Sequence, residues 1–353
     1  MAEAAVDALM RPYQGAVPGA CVAVLQDGVP LLRRAYGLAD LEAGAAATAA
    51  TNYRLASMTK QFTAAAILLL VEDGRLAIDE PIRKWLPTLP AAADGMIVRH
   101  LLTHTSGLID YEEVIPQAWT SPLREADVLR LLERENRRYF APGAQYRYSN
   151  GAYVLLALIA ERAAGEGFAL FLRKRIFRPL GMQETLAFEA GAAPVAHRAF
   201  GYSAAGDSWI RTDQSLTSAT LGDGGIYSSI DDLAKWEAAL CGAQLLRPAS
   251  LRLAFEPATP TDDPSVHYGF GWRITGQTRW HSGETLGFRN VIVRFLERRF
   301  TVIVLTNRNE PVPYRAALAI AGAFVPDAGG AGNTAAAALE GAGPDPGARP
   351  LRR

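Results

Sequence analysis

Apolar residues fall in strand-like patterns near both ends of the chain and at helical spacing through its middle. Ala20 to Gln26 and Val29 to Tyr36 are split by Asp27-Gly28, a dipeptide suited to the left-handed turn of a tight hairpin. Tyr268 to Ile274, Thr278 to His281, Phe288 to Leu296 and Phe300 to Thr306 read as further strands, the last two turning through Glu297 to Arg299. Between these ends, Met58 to Glu72, Val98 to Leu102, Glu125 to Glu135 and Ala152 to Ala164 read as helices. A later helix over Asp231 to Leu240 has Ser229 as its N-cap, with Asp232 placed for a capping box. The pattern predicts an α/β chain of the α+β kind: an antiparallel sheet of about five strands drawn from both ends, flanked by helices, with an all-helical region inserted.

The length of 353 residues, about half of them apolar, supplies material for a sizeable core. The expected organisation is a single catalytic unit over 1–325, with sheet regions at about 15–75 and 200–325 and the helical region at about 76–199. From Val325 onward the chain is alanine, glycine and proline with almost no bulky apolar residue, so 326–353 is expected to be a disordered tail.

Charge and cysteine content narrow the function. Lysine plus arginine equals aspartate plus glutamate at 36 each, and no basic block is present to track a phosphate backbone, which argues against a nucleic-acid partner. Cys21 and Cys241 are spaced neither as a zinc site nor as a redox motif. The longest apolar runs, Ala64 to Val71 and Ala152 to Ala160, are too short to span a bilayer, and Met1 to Pro18 lacks the cationic start and apolar stretch of an export signal. A cytoplasmic location is the expectation, although a processed exported form would read the same. No glycine-rich phosphate loop follows a strand, so no cofactor is expected. The expected partner is a small-molecule or peptide substrate, with oligomeric state left open.

Three short motifs could carry chemistry. Ser57-Met58-Thr59-Lys60 opens an apolar helix, placing Ser57 where unpaired amides favour negative charge and Lys60 on the same face. A serine hydroxyl needs a neighbouring base before it is a useful nucleophile, and a buried lysine of depressed pKa can serve. Taken alone the pair is weak: a serine three before a lysine arises by chance about once in a chain of this length, as an N-cap before a surface lysine. Tyr148-Ser149-Asn150 lies in a loop introduced by Pro142-Gly143; a tyrosine near an ammonium can act as a general base, while an aromatic anchor with an asparagine cap is the plain alternative. His281-Ser282-Gly283, followed by Glu284, ends a predicted strand where edge amides could orient a substrate carbonyl.

In this order and spacing the three motifs resemble those of the serine β-lactamases, DD-peptidases and related esterases. The likeness extends to Asn52-Tyr53-Arg54-Leu55-Ala56, to the run from Val98 to Leu108, to Pro179-Leu180-Gly181-Met182 and to Gly224-Gly225-Ile226-Tyr227-Ser228. It covers about residues 15 to 310, with class C β-lactamases and the D-stereospecific peptidase and esterase branch as the nearest parts of the family. The resemblance implies a cleft between sheet and helical region in which Ser57 attacks, Lys60 and Tyr148 move protons, and Asn150 positions substrate. It also implies an oxyanion hole from the backbone amides of Ser57 and Glu284, each such donor being commonly worth about 3 kcal/mol in the transition state.

The third motif departs from the β-lactamase pattern, because His281 and Ser282 stand where lysine and threonine are usual. A mostly neutral histidine does not attract a β-lactam carboxylate as a lysine would. Esters, or D-amino-acid amides and peptides recognised by another cation such as Arg279 or Arg289, are therefore the preferred substrates. Class C-type β-lactamase activity and a non-catalytic ligand-binding or scaffold role are the alternatives. His100 and His104, four apart on a predicted helix, invite a zinc reading, but Leu101 stands where a metalloprotease helix carries its glutamate, so no metal is assigned. Tyr111, Trp119, Tyr227, Trp272 and Phe288 could wall a pocket, but their size and hydrophobicity fit the core better.

Overall fold

A computed structural model describes residues 2–189, 191 and 193–325, so the expected tail at 326–353 lies outside the described residues. Its main sheet is built from β1 (Ala20–Gln26), β2 (Val29–Tyr36), β3 (Thr259–Pro260), β4 (His267–Tyr268), β5 (Arg273–Thr275), β6 (Thr278–Thr285), β7 (Phe288–Phe295) and β8 (Phe300–Thr306). The order across the sheet is β3-β4-β5-β6-β7-β8-β1-β2, antiparallel throughout, so the two ends of the sequence meet where β8 pairs with β1. The hairpin signal is realised as Asp27 and Gly28, at φ of 54° and 78°.

Alternation along the strands divides the apolar residues between two faces. Val22, Val24, Trp280, Val291, Val293, Val302 and Val304 pack against α1 (Ala2–Leu9) and α9 (Tyr314–Phe324). On the other face Cys21, Ala23, Ile292, Ile303 and Leu305 join a larger core. That core contains α2 (Lys60–Glu72), α3 (Val98–Leu102), α4 (Glu125–Glu133), α5 (Asn150–Ala164), α6 (Phe168–Leu172), α7 (Ile230–Cys241) and α8 (Pro248–Phe255). α2 is buried from Lys60 to Leu70 and α5 from Gly151 to Ala160, which explains why both read as long apolar runs rather than one-sided stripes. Among the described residues no helix is long and apolar enough to cross a membrane.

Several expectations need correction. The predicted strand Tyr268 to Ile274 is two short strands, because Gly269 and Gly271 bring the chain against two helices. A Cβ on Gly269 would lie 2.4 Å from the Ala254 carbonyl oxygen, and one on Gly271 would lie 2.6 Å from that of Lys60. β6 runs on to Thr285 instead of ending at His281, held in register by β7. The N-cap of α5 is Ser149, whose Oγ accepts from the Ala152 amide at 3.1 Å, and Asn150 is the first helical residue. Ser229 caps α7 by accepting from Asp232 N at 3.2 Å, but the Asp232 carboxylate accepts from the amides of Glu184 and Thr185 instead of returning to the cap.

Asn290 joins the sheet to the segment that precedes Ser57. Its Nδ2 donates to the Arg54 carbonyl at 2.8 Å and its Oδ1 accepts from the Thr306 amide at 3.1 Å, all in the dry interior. Asn290→Leu would leave both backbone groups unsatisfied at about 1–3 kcal/mol each. Urea unfolding is expected to show a loss of about 2–5 kcal/mol; a change below 1 kcal/mol would show that this tie does not hold the fold.

Candidate active site

Ser57 lies in a single 3-10 turn, Ala56–Thr59, that runs directly into α2. Ala56 is held at φ 50°, a conformation costly for a residue with a side chain, and the flanking Leu55 is tied by its amide to the Ile226 carbonyl at 2.8 Å. This local bend leaves Ser57 partly exposed at the head of a helix whose first residue, Lys60, is completely buried.

A buried lysine needs partners, and Lys60 Nζ stands 3.0 Å from Ser57 Oγ, 2.8 Å from Asn150 Oδ1 and 3.0 Å from the Asp223 carbonyl oxygen. An ammonium can donate to all three. A neutral amine keeps two N–H groups for the amide and carbonyl oxygens, which can only accept, and turns its lone pair to the Ser57 hydroxyl. Of these three partners only Ser57 has a proton to give, so the geometry suits nucleophile activation.

Tyr148 lies beside this pair, with Lys60 Nζ 4.8 Å from the centroid of its ring. Another neighbour is His104, whose ring lies tilted against it with centroids 4.3 Å apart. His104 sits beyond the end of α3 at φ 58°, accepts from the Ser149 amide through Nδ1 at 3.1 Å, and receives the Arg147 amide on its carbonyl at 2.9 Å. The 103–105 segment thereby fixes the loop that presents Tyr148. Burial first, then the cations Lys60 and Arg273, hold the His104 imidazole well below its usual range, so it serves as a neutral platform. His100 is still within α3 while His104 has left it, and the two do not share a helix face as the spacing implied. Among the described residues no cluster of three or more histidine, cysteine, aspartate or glutamate side chains is arranged to hold a metal.

β6 closes the other side. A Cβ on Gly283 would lie 1.9 Å from the Leu55 carbonyl oxygen, so the strand can approach the serine turn this closely only with glycine there. β5 pairs with β6 only as far as Trp280, which among the described residues leaves the edge of 281–285 on that side without a strand partner. His281 is buried, donates through Nδ1 to the Ser282 carbonyl at 2.6 Å and accepts the Tyr268 hydroxyl on Nε2 at 3.0 Å. Burial, followed by Arg273 and Lys60, pushes its pKa well below the usual value, and it offers no charge to an anionic substrate. Strand alternation puts the Ser282 and Glu284 side chains on the α1 and α9 face, where Glu284 meets Arg289 at 3.4 Å. Their route to a substrate is the backbone. Arg279 lies at the far end of β6 and Arg289 on the opposite face, so neither cation proposed from sequence enters the cleft. Arg273, which the sequence did not single out, lies 5.5 Å from the Tyr148 ring.

Sequence reasoning also missed a group of acids. Asn150 Nδ2 donates to Glu112 Oε1 at 3.0 Å and Asn150 N to Asp110 Oδ2 at 3.1 Å. Burial, then the mutual repulsion of the pair, pushes Glu112 up to about 8; burial chiefly pushes Asp110 up to about 6. Burial also raises Asp223, and the charge of Lys60 offsets part of this. The run Asp110-Tyr111-Glu112-Glu113 was visible, but nothing local reveals that it meets a residue 38 positions later. Tyr111, Tyr227, Trp272 and Phe288 are core, and Trp119 is half-buried with its indole N–H on the Ser121 carbonyl at 2.7 Å.

The Gly283 contact yields a direct expectation. Gly283→Ala must displace the Leu55 to Ser57 turn, so kcat/KM on a nitrophenyl ester should fall at least 100-fold. Thermal unfolding should still be cooperative, and wild-type activity in the variant would refute the contact.

Comparison with known proteins agrees with this architecture. A beta-lactamase family model matches residues 2–326. Penicillin-binding protein 4* of Bacillus subtilis (strain 168) is 32% identical over 316 residues, 84% of this chain and 70% of that protein. D-aminopeptidase of Gluconobacter oxydans (strain 621H) is 31% identical over 331 residues, and the match spans 91% of this chain but only 61% of the relative. The solved D-amino acid amidase from Ochrobactrum anthropi SV3 superposes with a TM-score of 0.78 at 26% identity, covering 92% of this chain and 99% of that one. An octameric penicillin-binding protein homologue from Pyrococcus abyssi superposes at 0.82 with 25% identity, covering 92% and 77%. The chain therefore belongs to the beta-lactamase family, as a serine hydrolase of the β-lactamase and DD-peptidase type.

Proposed function

We propose that this chain hydrolyses amides and short peptides whose acyl group carries a free ammonium, D-aminoacyl compounds above all, and accepts simple esters more readily than β-lactams. In this reading Ser57 Oγ attacks the acyl carbon as its proton passes to the Lys60 and Tyr148 pair. The backbone amides of Ser57 and Glu284 receive the oxyanion. The proton then goes to the leaving amine, and a water molecule, deprotonated by the same pair, cleaves the acyl-enzyme. The roles of Ser57, Lys60, Tyr148 and Asn150 rest on their mutual distances. Those of Ser282, Gly283 and Glu284 rest on the open edge of β6, and His281 acts by holding the Ser282 backbone.

The observation that carries the substrate preference is the Glu112 carboxylate on Asn150. Glu112 and Asp110 repel each other and are held back from ionising; a substrate ammonium placed beside Asn150 relieves that repulsion and draws both into the charged form. An anionic β-lactam carboxylate meets the opposite field, with His281 neutral. The D configuration is taken from the names of the relatives, D-aminopeptidase and D-amino acid amidase.

Three measurements test this. Incubation with a short-chain nitrophenyl ester should give turnover and a transient acyl mass adduct in the wild type, and neither in Ser57→Ala with matched folding; equal rates in the two would remove Ser57 as nucleophile. For substrate class, the ratio of kcat/KM for D-phenylalaninamide to that for the ester should rise with pH as Asp110 and Glu112 ionise through about 6 to about 8. It should then fall as the substrate amine, with a pKa near 8, loses its proton. Glu112→Gln keeps the acceptor for Asn150 but not the charge, and should raise KM for the amide at least tenfold with the ester KM within twofold. Equal effects on both substrates would reject ammonium recognition.

A further inference from the structure

A second site lies at the opposite end of β6 from Gly283. The five residue steps from Arg279 to Glu284 span about 17 Å of extended strand, which places it well away from Ser57. There α7, α8 and the ends of β6, β7 and β8 border an open cavity of about 720 Å³ with Leu240, Leu251 and Phe255 in its walls. That volume is in the range of sites that hold small organic ligands.

The charge in this cavity is unbalanced. Arg279 and Arg294 are direct cross-strand partners on the same face of the sheet, an arrangement that costs stability for like charges. Arg294 is only 3% exposed; its Nε stands 2.8 Å from Glu237, and its Nη1 has no hydrogen-bond partner among the described residues. Arg279 is half-buried and, among the described residues, donates only to backbone carbonyls, those of Phe255 at 2.8 Å, Gly276 at 3.0 Å and Thr278 at 3.3 Å. Burial and the charge of Arg294 both push its pKa down, the signature of a cation lacking a counter-charge. Glu237, the buried carboxylate, pairs with Arg294, and Glu256 lines the cavity as an exposed residue; among the described residues no carboxylate bonds Arg279.

We infer that this cavity is a binding site for a small amphipathic carboxylate, its anionic end held by the Arg279 and Arg294 pair and its apolar body against Leu240, Leu251 and Phe255. The site is independent of the Ser57 cleft and of the substrate assigned to it. Cys241 provides a local reporter, since this partly exposed thiol lines the cavity 3.8 Å from Arg294 Nη2, while Cys21 is fully buried.

The test uses the full chain with decanoate as probe and decan-1-ol as its uncharged counterpart. Binding is read by titration calorimetry and by the rate of Cys241 alkylation, measured by peptide mass spectrometry. Decanoate should slow alkylation at least fivefold and bind at least tenfold more tightly than the alcohol. Arg279→Gln, which removes a cation bonded only to backbone oxygens, should weaken decanoate at least tenfold, and Leu251→Trp, which fills the cavity, should abolish protection. Both variants should hydrolyse the nitrophenyl ester at the wild-type rate. Absence of heat and protection, equal binding of acid and alcohol, or undiminished binding by Arg279→Gln would each overturn the inference.

Discussion

The site is organised around one buried amine. Lys60 has no contact with solvent, and an ammonium in such a place is tolerable only if its donors are met by oxygens of fixed position. Ser57, Asn150 and Asp223 supply them from the serine turn, the start of α5 and the segment before Ile226. Each of those segments is in turn anchored elsewhere: the turn by Gly283 and Asn290, the α5 start by Ser149 and His104, the third by the Ser57 region itself. The requirement to solvate one lysine with protein atoms thus draws three distant stretches of chain to one point.

The surrounding charges follow from that arrangement. Burial chiefly holds the carboxylates of Asp110 and Glu112 partly protonated near neutral pH, and the charge of Lys60 offsets part of this. The same low-dielectric surroundings keep His104 and His281 uncharged. The cleft consequently combines a neutral histidine on the strand side, His281, with neutral His104 and partly protonated acids on the helical side. These protonation states are set by burial as much as by residue type. At the far end of the same strands the imbalance has the opposite sign, with Arg279 facing Arg294.

The sequence by itself determined the hairpin at Asp27-Gly28, the long strands of the sheet, the two apolar helices and the three motifs, because each rests on local turn chemistry, periodicity or short spacing. The break between Tyr268 and Ile274 was not legible, since it arises where Gly269 and Gly271 touch backbone from other elements. The capping role of Ser149, the diversion of Asp232 to Glu184 and Thr185, and the placement of Arg279 and Arg289 outside the cleft were hidden for the same reason. Only the tertiary structure decided that Glu112 meets Asn150 and that His281 turns to Tyr268 and its own neighbour's carbonyl. Residue type sets what a side chain can donate or accept; which partner it finds, and whether it is charged there, depends on contacts between segments far apart in the chain and on the water that those contacts exclude.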